Sequence, residues 1–324
     1  MAAKKSYIDG PLIFHAEDAM NRVQNNAISI YMHNIGYAGL GAENEFYADG
    51  GKRFFPMSKI HVRNHSNNLS TIAANANADI YLFQEMACKS AFSRNIDVIG
   101  EFQNRLHRYG VAWTPTIKLS ILPYFASISV GNAIFSKAQP ETIERISLPK
   151  DTSWAPIGGL FGLNYNFIIT RYPIQDSQSY WTIINIHFSA FDKEGKLRKK
   201  QLEFLRDILI DEYNRGNYLV VGGDWNHRIH ASSFPHTTEE EYLFWIHDLP
   251  SSFTPNGWLW AIDPSHPTVR TLERPYIRGE NYTCIIDGFL VSPNVEIVTC
   301  ETLDLDFQDS DHNPIRLIVR TRDP

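Results

Sequence analysis

The sequence has little of what marks disulfide-rich, zinc-binding, secreted or membrane-spanning proteins. Its 3 cysteines (Cys88, Cys284 and Cys300) are odd in number and lack the paired spacing of zinc ligands, so we predict neither a disulfide framework nor a zinc site. No apolar run follows the lysines near the N-terminus, and none elsewhere is long enough to span a bilayer. We therefore expect a cytoplasmic protein without a membrane span, although a trimmed exported form would have the same sequence.

An excess of positive charge is also missing, since the formal net charge is −6. A protein that binds nucleic acid chiefly by neutralising phosphates is normally basic, so stable non-specific DNA binding is disfavoured. An enzyme that contacts nucleic acid only during turnover is compatible with this charge. The hydrophobic content of 43% and aromatic content of 13% are typical of a packed globular enzyme.

Apolar periodicity predicts strands and helices over most of the chain. The first 26 residues lack it and are predicted to form an N-terminal extension, followed by a single domain over residues 27–322. Helical spacing predicts helices over residues 58–76, 92–106 and 195–213. Several short apolar runs, among them 284–291, predict strands buried on both faces. The pattern indicates a strand-rich α/β domain.

Polar side chains lie at the ends of six apolar runs: five clusters follow a run, and the last precedes one. In chain order they are Asn34, Gln84 with Glu85, His187, Asp224 with Asn226, Asp287, and Asp311 with His312. Taken singly, each has a structural explanation, because such residues commonly form turns, lie on the surface or are satisfied in the core. Taken together they indicate a shared site, because sheet enzymes usually keep their chemistry at strand ends.

The order of these clusters resembles the endonuclease/exonuclease/phosphatase superfamily, which includes deoxyribonuclease-I-like nucleases, abasic-site endonucleases, sphingomyelinases and inositol-polyphosphate phosphatases. Its most specific parts are Gly223-Asp224-Trp225-Asn226 and Ser310-Asp311-His312-Asn313-Pro314. The resemblance covers about residues 27–320 and implies a four-layer α/β/β/α sandwich, an α/β fold with two packed mixed β-sheets. An active site at one edge of the sheets is part of that implication.

The resemblance also implies hydrolysis of phosphoester bonds with a divalent cation, Mg²⁺ first and Mn²⁺ second. Such a cation neutralises the phosphate and orients the ester. Because Mg²⁺ prefers oxygen ligands and keeps several waters, one or two side chains suffice to hold it. By resemblance, Glu85 is the leading ligand candidate, with Asn34 beside it and Asp311 contributing directly or through a water.

The same resemblance assigns the remaining catalytic candidates. His312, hydrogen-bonded to Asp287, is expected to act as the general base. His187 is expected to donate to a phosphate oxygen or protonate the leaving group. Asp224 would orient the attacking water or take part in proton transfer, and Asn226 would hold a non-bridging oxygen.

Two details bear on the branch of the superfamily. Abasic-site endonucleases typically carry a tyrosine at the position of His187, so two histidines are more similar to the deoxyribonuclease-I-like and sphingomyelinase-like branches. The segment 48–53 is similar to a less characterised bacterial branch. It is interpreted either as a polar rim of the site that offers Lys52 and Arg53 to a phosphate or as a solvated glycine turn.

The substrate is open at the level of sequence. A basic run (Lys193, Lys196, Arg198, Lys199 and Lys200) is interpreted first as a solvated helix face and second as a track for a nucleic-acid backbone. Trp258 and Arg278, in the long region 248–282, are candidate substrate-binding residues or parts of a loop core. A nuclease is the first hypothesis and a hydrolase of phospholipid headgroups or small phosphoesters the second. A non-catalytic binding protein is disfavoured because all six clusters are intact.

Overall fold

The computed structural model describes residues 27–119, 127–150, 164–190 and 195–322. The predicted extension 1–26 and Lys193 of the basic run lie outside the described residues, and the predicted domain boundary stays a prediction. Within the described ranges, no helix combines the length and the apolar character that crossing a membrane requires.

Two six-stranded mixed sheets form the centre of the molecule, with strands numbered along the chain. The first sheet contains β1 (Ala27–Asn34), β2 (Ile80–Ala87), β3 (Gly110–Leu119), β4 (Ile128–Ser136), β13 (Val295–Thr302) and β14 (Ile315–Thr321), in the order β13-β14-β1-β2-β4-β3. The second contains β5 (Thr142–Ser147), β6 (Asn166–Pro173), β7 (Tyr180–His187), β8 (Tyr218–Asp224), β9 (Leu259–Ala261) and β12 (Asp287–Val291), in the order β5-β6-β7-β8-β12-β9. A small ribbon pairs β10 (Val269–Arg270) with β11 (Thr283–Cys284).

Helices cover the outer faces of both sheets. The predicted helices correspond to α1 (Lys59–Ala76), α2 (Val98–Arg105) and α3 (Lys196–Asn214). Ser58 caps α1, because its side chain accepts a hydrogen bond from the His61 amide. The apolar faces of α1 and α2 pack on the first sheet, and that of α3 packs on the second. A third apolar cluster fills the space between the sheets, so the predicted four-layer sandwich is confirmed.

Strand direction brings the polar clusters to one edge. β1 and β2 run parallel, as do β7 and β8, so both pairs end at that edge, with Asn34 opposite Gln84 and His187 opposite Asp224. β12 runs antiparallel to β8 and begins with Asp287, which lies directly opposite Asp224. β14 begins three residues after His312 and pairs antiparallel with β1. All six strand ends therefore meet at one edge.

The predicted continuous strand over 284–291 is wrong in one respect. Ile285 and Ile286 lie between β11 and β12, and their carbonyls accept hydrogen bonds from Ile229 and Trp225 outside any ladder. This break separates the small ribbon from the second sheet and lets Asp287 begin a new strand at the shared edge.

Candidate active site

A bulge in β2 places Glu85. The pairing of β2 with β4 shifts register between Phe83 and Met86, and Glu85 within that step has a φ of 54°. Left-handed backbone is unfavourable for a residue with a side chain and persists only where its surroundings impose it. Bulges of this kind redirect side chains beside active sites. The Glu85 carboxylate accordingly lines the cavity at the sheet edge rather than lying in the ladder.

Asn34 joins two of the carboxylates. Its Nδ2 donates to Oδ2 of Asp224 at 3.0 Å and to Oε1 of Glu85 at 3.4 Å. Its Oδ1 accepts from the Gly36 amide at 3.1 Å, which fixes the orientation of the amide group. In this arrangement Asn34 supplies hydrogen bonds to anionic oxygens, whereas its own oxygen is already engaged.

His312 and Asp287 form the predicted pair. Nδ1 of His312 lies 2.8 Å from Oδ2 of Asp287 and donates to it, because a carboxylate only accepts. Nε2 of His312 lies 3.9 Å from Oδ2 of Asp224. Burial alone would lower the pKa of His312, but Asp287, Asp311 and Asp224 outweigh it and raise that pKa to about 10.

His187 has the opposite electrostatic character. Its Nε2 lies 3.6 Å from Asp224 and 3.7 Å from Glu85. Burial, reinforced by the charge on His312, lowers the pKa of His187 to about 3. One cavity thus contains a histidine that is protonated at neutral pH and another that is neutral there.

The carboxylates of the cavity outnumber the positive charges beside them, which are those of His312 and Arg270. Burial, with the Asp311 charge adding to it, raises the pKa of Glu85 to about 8. Burial and Asp287 raise the pKa of Asp224 to about 7, and burial also raises the pKa of Asp311. Oxygens that repel one another in this way are the donors that a hard divalent cation prefers, so the residues present fit such an ion.

A second set of atoms could also hold a metal by distance alone. Ligand atoms of Asp224, Asp287 and His312 all lie within 4.8 Å of one another. The short hydrogen bond between His312 and Asp287 already uses two of these groups, however. We therefore interpret this set as a unit for proton transfer, and Glu85 and Asp311 as the oxygens open to a cation.

Asn226 lies in the tight turn after β8. Its amide donates to Oδ1 of Asp224 at 2.8 Å, its Nδ2 donates to the Phe188 carbonyl at 2.9 Å, and its φ is 46°. Thus the turn expected from local sequence is present, and it also points both side chains toward the site edge. Gly223 precedes it because a Cβ there would collide with the Ile186 carbonyl on the neighbouring strand.

The burial of two arginines beside the site was not predicted from the sequence. Arg198 is fully buried on α3, and its Nη1 donates to the Asn226 carbonyl at 2.5 Å. The solvated helix face predicted for the basic run is therefore wrong at this residue, whereas Lys199 and Lys200 are exposed. Arg270 donates through Nη2 to the carbonyls of the loop 40–44. Residues of this type in a charged run give no sequence signal that one of them turns inward.

Asp49 is a further acid that sequence reasoning did not place in the site. It lines the same cavity, and burial together with Asp311 raises its pKa to about 7. The one sequence feature that could have indicated it is its place in the segment 48–53, in which only Lys52 and Arg53 were considered as phosphate-binding residues. The cavity is open to solvent and has a volume of about 110 Å³, which is room for a phosphate group and a few waters.

The structure does not bring the two predicted substrate-binding residues to this cavity. Trp258 is buried in the apolar cluster under α3, with its ring 6.0 Å from that of Tyr213. Arg278 is exposed and lies 2.9 Å from both Asp304 and Asp306. Neither residue lines the cavity.

Comparison with known proteins identifies the family to which the chain belongs. The sequence profile of the Endonuclease/Exonuclease/phosphatase family matches residues 49–312. The chain belongs to this family, and membership supports a hydrolase of phosphoester bonds in general terms. Enzymes of the family usually use divalent metals. No curated protein matches the chain.

Solved structures share the fold at low sequence identity. An endonuclease/exonuclease/phosphatase from Beutenbergia cavernae is 15% identical, with a TM-score of 0.58 over 91% of this chain and 72% of that one. TDP2 from D. rerio, solved with a single-stranded DNA product, is 14% identical, with a TM-score of 0.57 over 92% of this chain and 100% of that one. A family protein from Bacteroides vulgatus is 12% identical, with a TM-score of 0.56 over 91% of this chain and 99% of that one.

Proposed function

We propose that the protein is a divalent-metal-dependent phosphodiesterase, in which Glu85 and Asp311 would hold Mg²⁺ or Mn²⁺ and the cation would supply neutralisation of the phosphate charge. The observation that carries this proposal is the meeting of two kinds of group in one cavity. Carboxylates with raised pKa values lie beside a histidine that is hydrogen-bonded to an acid. The first kind suits a hard cation, and the second suits proton transfer to and from water.

Within this proposal, Asn34 positions ligands instead of binding the cation itself. Its amide oxygen accepts from Gly36, and its Nδ2 donates to Glu85 and Asp224. Such outer contacts hold ligating carboxylates in place. The proposed ligand role of Asn34 thereby becomes a supporting one.

The proton of the attacking water passes, in this proposal, to Asp224, His312 and Asp287 acting as one unit. Groups that interact this strongly titrate together, so the pKa values describe the unit as a whole. With its pKa near 10, His312 is protonated at neutral pH unless the surrounding negative charge is balanced. Charged His312 stabilises phosphate oxygens, and Asp224, with a pKa near 7, is the group suited to accept a proton.

His187 and Asn226 complete the phosphate-binding wall. Neutral His187 lies within 3.7 Å of Glu85 and 3.6 Å of Asp224, which leaves it suited to donate one hydrogen bond to a phosphate oxygen. Asn226 contributes through its place in the turn that holds Asp224. Neither role requires a change in protonation.

The proposal specifies the bond that is cleaved, a phosphodiester, and leaves two classes of substrate that contain it. A neighbour solved with single-stranded DNA supports nucleic acid as one substrate class. The net charge of −6 argues against a large phosphate-binding surface. Phospholipid headgroups contain the same bond, and the exposed apolar and basic side chains of residues 46–63 favour them.

The test is hydrolysis of the soluble diester bis-p-nitrophenyl phosphate by purified protein in Mg²⁺ or Mn²⁺. We expect turnover that a chelator abolishes and that Glu85→Gln lowers by about 10³-fold, because a lost metal ligand removes several kcal/mol of stabilisation. Arg278→Ala, outside the cavity, is the matched control. Turnover that is independent of metal, or equal in Glu85→Gln, would overturn the proposal.

A further inference from the structure

Exposed apolar side chains are concentrated in one segment of the described chain. Of the eleven large hydrophobic side chains that are exposed, five lie between residues 47 and 60, with exposures of 42 to 70%: Tyr47, Phe54, Phe55, Met57 and Ile60. Single exposed apolar residues need no explanation, but a contiguous group marks an interaction surface. We call residues 46–63 the apolar lip.

The exposed rings of the apolar lip are held in place. The rings of Tyr47 and Phe54 stack with centroids 4.1 Å apart. The Arg94 guanidinium lies 5.6 Å from the centre of the Phe55 ring and donates to the Pro56 carbonyl. A hydrogen bond from the Tyr47 amide to the Arg53 carbonyl closes the loop. These contacts order the side chains without covering them, which is the arrangement expected of a preformed docking surface.

The apolar lip is continuous with the wall of the cavity. Phe46 and Asp49, within the lip, line the cavity, and the Phe46 amide donates at 2.8 Å to the carbonyl of Leu272, which also lines it. The exposed rings of Phe54 and Phe55 lie outside the cavity lining. A surface seated on these rings would therefore be next to the cavity mouth.

Charge in the lip is opposite in sign to that of the whole chain. Residues 46–63 contain four basic side chains, Lys52, Arg53, Lys59 and Arg63, against the single acid Asp49, in a chain of net charge −6. Apolar side chains flanked by Lys and Arg are the combination that binds anionic membrane surfaces. Nucleic-acid bases stack on flat rings, whereas Met57 and Ile60 offer only flexible or branched hydrocarbon. The mixture favours lipid over bases.

We propose that the apolar lip docks on a phospholipid bilayer that contains anionic lipid, and that the enzyme cleaves the phosphodiester of a lipid headgroup presented there. This inference rests on the proposed function, since it names the substrate class of the same site. It explains why exposed apolar and basic residues are gathered in a segment that also lines the cavity.

Binding to vesicles tests the docking surface. We expect wild-type protein to sediment with phosphatidylcholine vesicles that contain phosphatidylserine. The double variant Phe54→Ser/Phe55→Ser should bind at least ten-fold more weakly, because it loses the apolar part of the contact. The double variant Ile277→Ser/Val298→Ser is the matched control, since both residues are exposed apolar positions outside the lip. Lys52→Glu/Lys59→Glu should lose the dependence on phosphatidylserine.

Three results would overturn this inference. They are wild-type protein that does not bind the vesicles, equal binding by the lip and control variants, and a lip variant that loses binding to single-stranded polythymidylate instead of to vesicles. Turnover of bis-p-nitrophenyl phosphate separates this failure from that of the proposed function. If the soluble diester is cleaved equally by wild type and the lip variant, the catalytic proposal stands whichever way the vesicle result falls.

Discussion

Two groups of buried charged side chains lie at opposite ends of the strands of the second sheet. They differ in how far the positive and negative charges balance. At the end away from the cavity, Arg171 on β6 donates through Nε and Nη2 to Glu212 at 3.0 and 2.8 Å, and through Nη1 to Glu144 at 2.6 Å. Burial would raise the pKa of Glu212, but Arg171 holds that pKa below its usual range. In the cavity, by contrast, burial raises the pKa of Glu85 to about 8.

The difference separates a structural role from a chemical one. Arg171 and Glu212 neutralise each other's charge, so this pair requires no ligand from outside the protein. The carboxylates of the cavity repel one another, so the fold holds them there at a cost that a bound cation would offset. We therefore expect opposite responses when each group is disturbed.

The largest effect is expected in the cavity and on activity. His312→Gln should lower kcat by about 10² to 10⁴-fold, the usual contribution of general acid–base catalysis. It should also lower stability, because buried Asp287 loses its charged partner. Steady-state kinetics with bis-p-nitrophenyl phosphate provides the measurement. A variant that turns over at the wild-type rate would remove His312 from the mechanism.

The second effect is on stability at the far end. Arg171→Met leaves Glu212 buried without its main partner, which should cost about 3–5 kcal/mol. Urea unfolding gives the value, and the folded variant should keep its activity. The double variant Arg171→Met/Glu212→Leu is the control, since it removes both charges and should recover most of the loss. If the single variant is as stable as wild type, the pair is not the structural element described here.

The third effect is a pH dependence at the same pair. Because the folded-state pKa of Glu212 lies below its unfolded value of about 4.3, the pair's contribution is fully present above that pH. It is lost as the pH falls through the folded-state pKa. Urea midpoints between pH 5.5 and 3 should therefore decline more steeply in wild type than in Arg171→Met/Glu212→Leu. Parallel declines would argue against the lowered pKa.

Much of the fold was predictable because its signals are local. The Ser58 cap, the apolar face of α3 and the strand ends from Asn34 to His312 all follow from short-range patterns. Edge strands such as β5 and β13 were missed because their residues are mostly half-exposed and carry no continuous apolar run. The inward turn of Arg198 and the distance of Trp258 from the cavity depend on packing between remote segments, which no window of sequence contains.

The smallest effect is expected at the ion pair of Arg278 and Asp304, which lies on the protein surface. Arg278 lies 2.9 Å from Asp304 but is 61% exposed, so Arg278→Ala should change stability by less than about 1 kcal/mol. It should also leave KM for bis-p-nitrophenyl phosphate unchanged, because Arg278 does not line the cavity. A clear rise in KM would restore the substrate-binding role predicted from sequence.

Thermal unfolding of wild type and Glu85→Gln, each in chelator and in saturating Mg²⁺, tests the unbalanced charge of the cavity most directly. In chelator at neutral pH, Glu85→Gln should have the higher Tm. Folding raises the pKa of Glu85 to about 8, so wild type must take up a proton there, at a cost that Gln does not carry. Added Mg²⁺ should raise the Tm of wild type and leave that of Glu85→Gln almost unchanged, because a ligand stabilises only the state that binds it. A wild-type Tm that does not respond to Mg²⁺, or an equal rise in both proteins, would contradict the account.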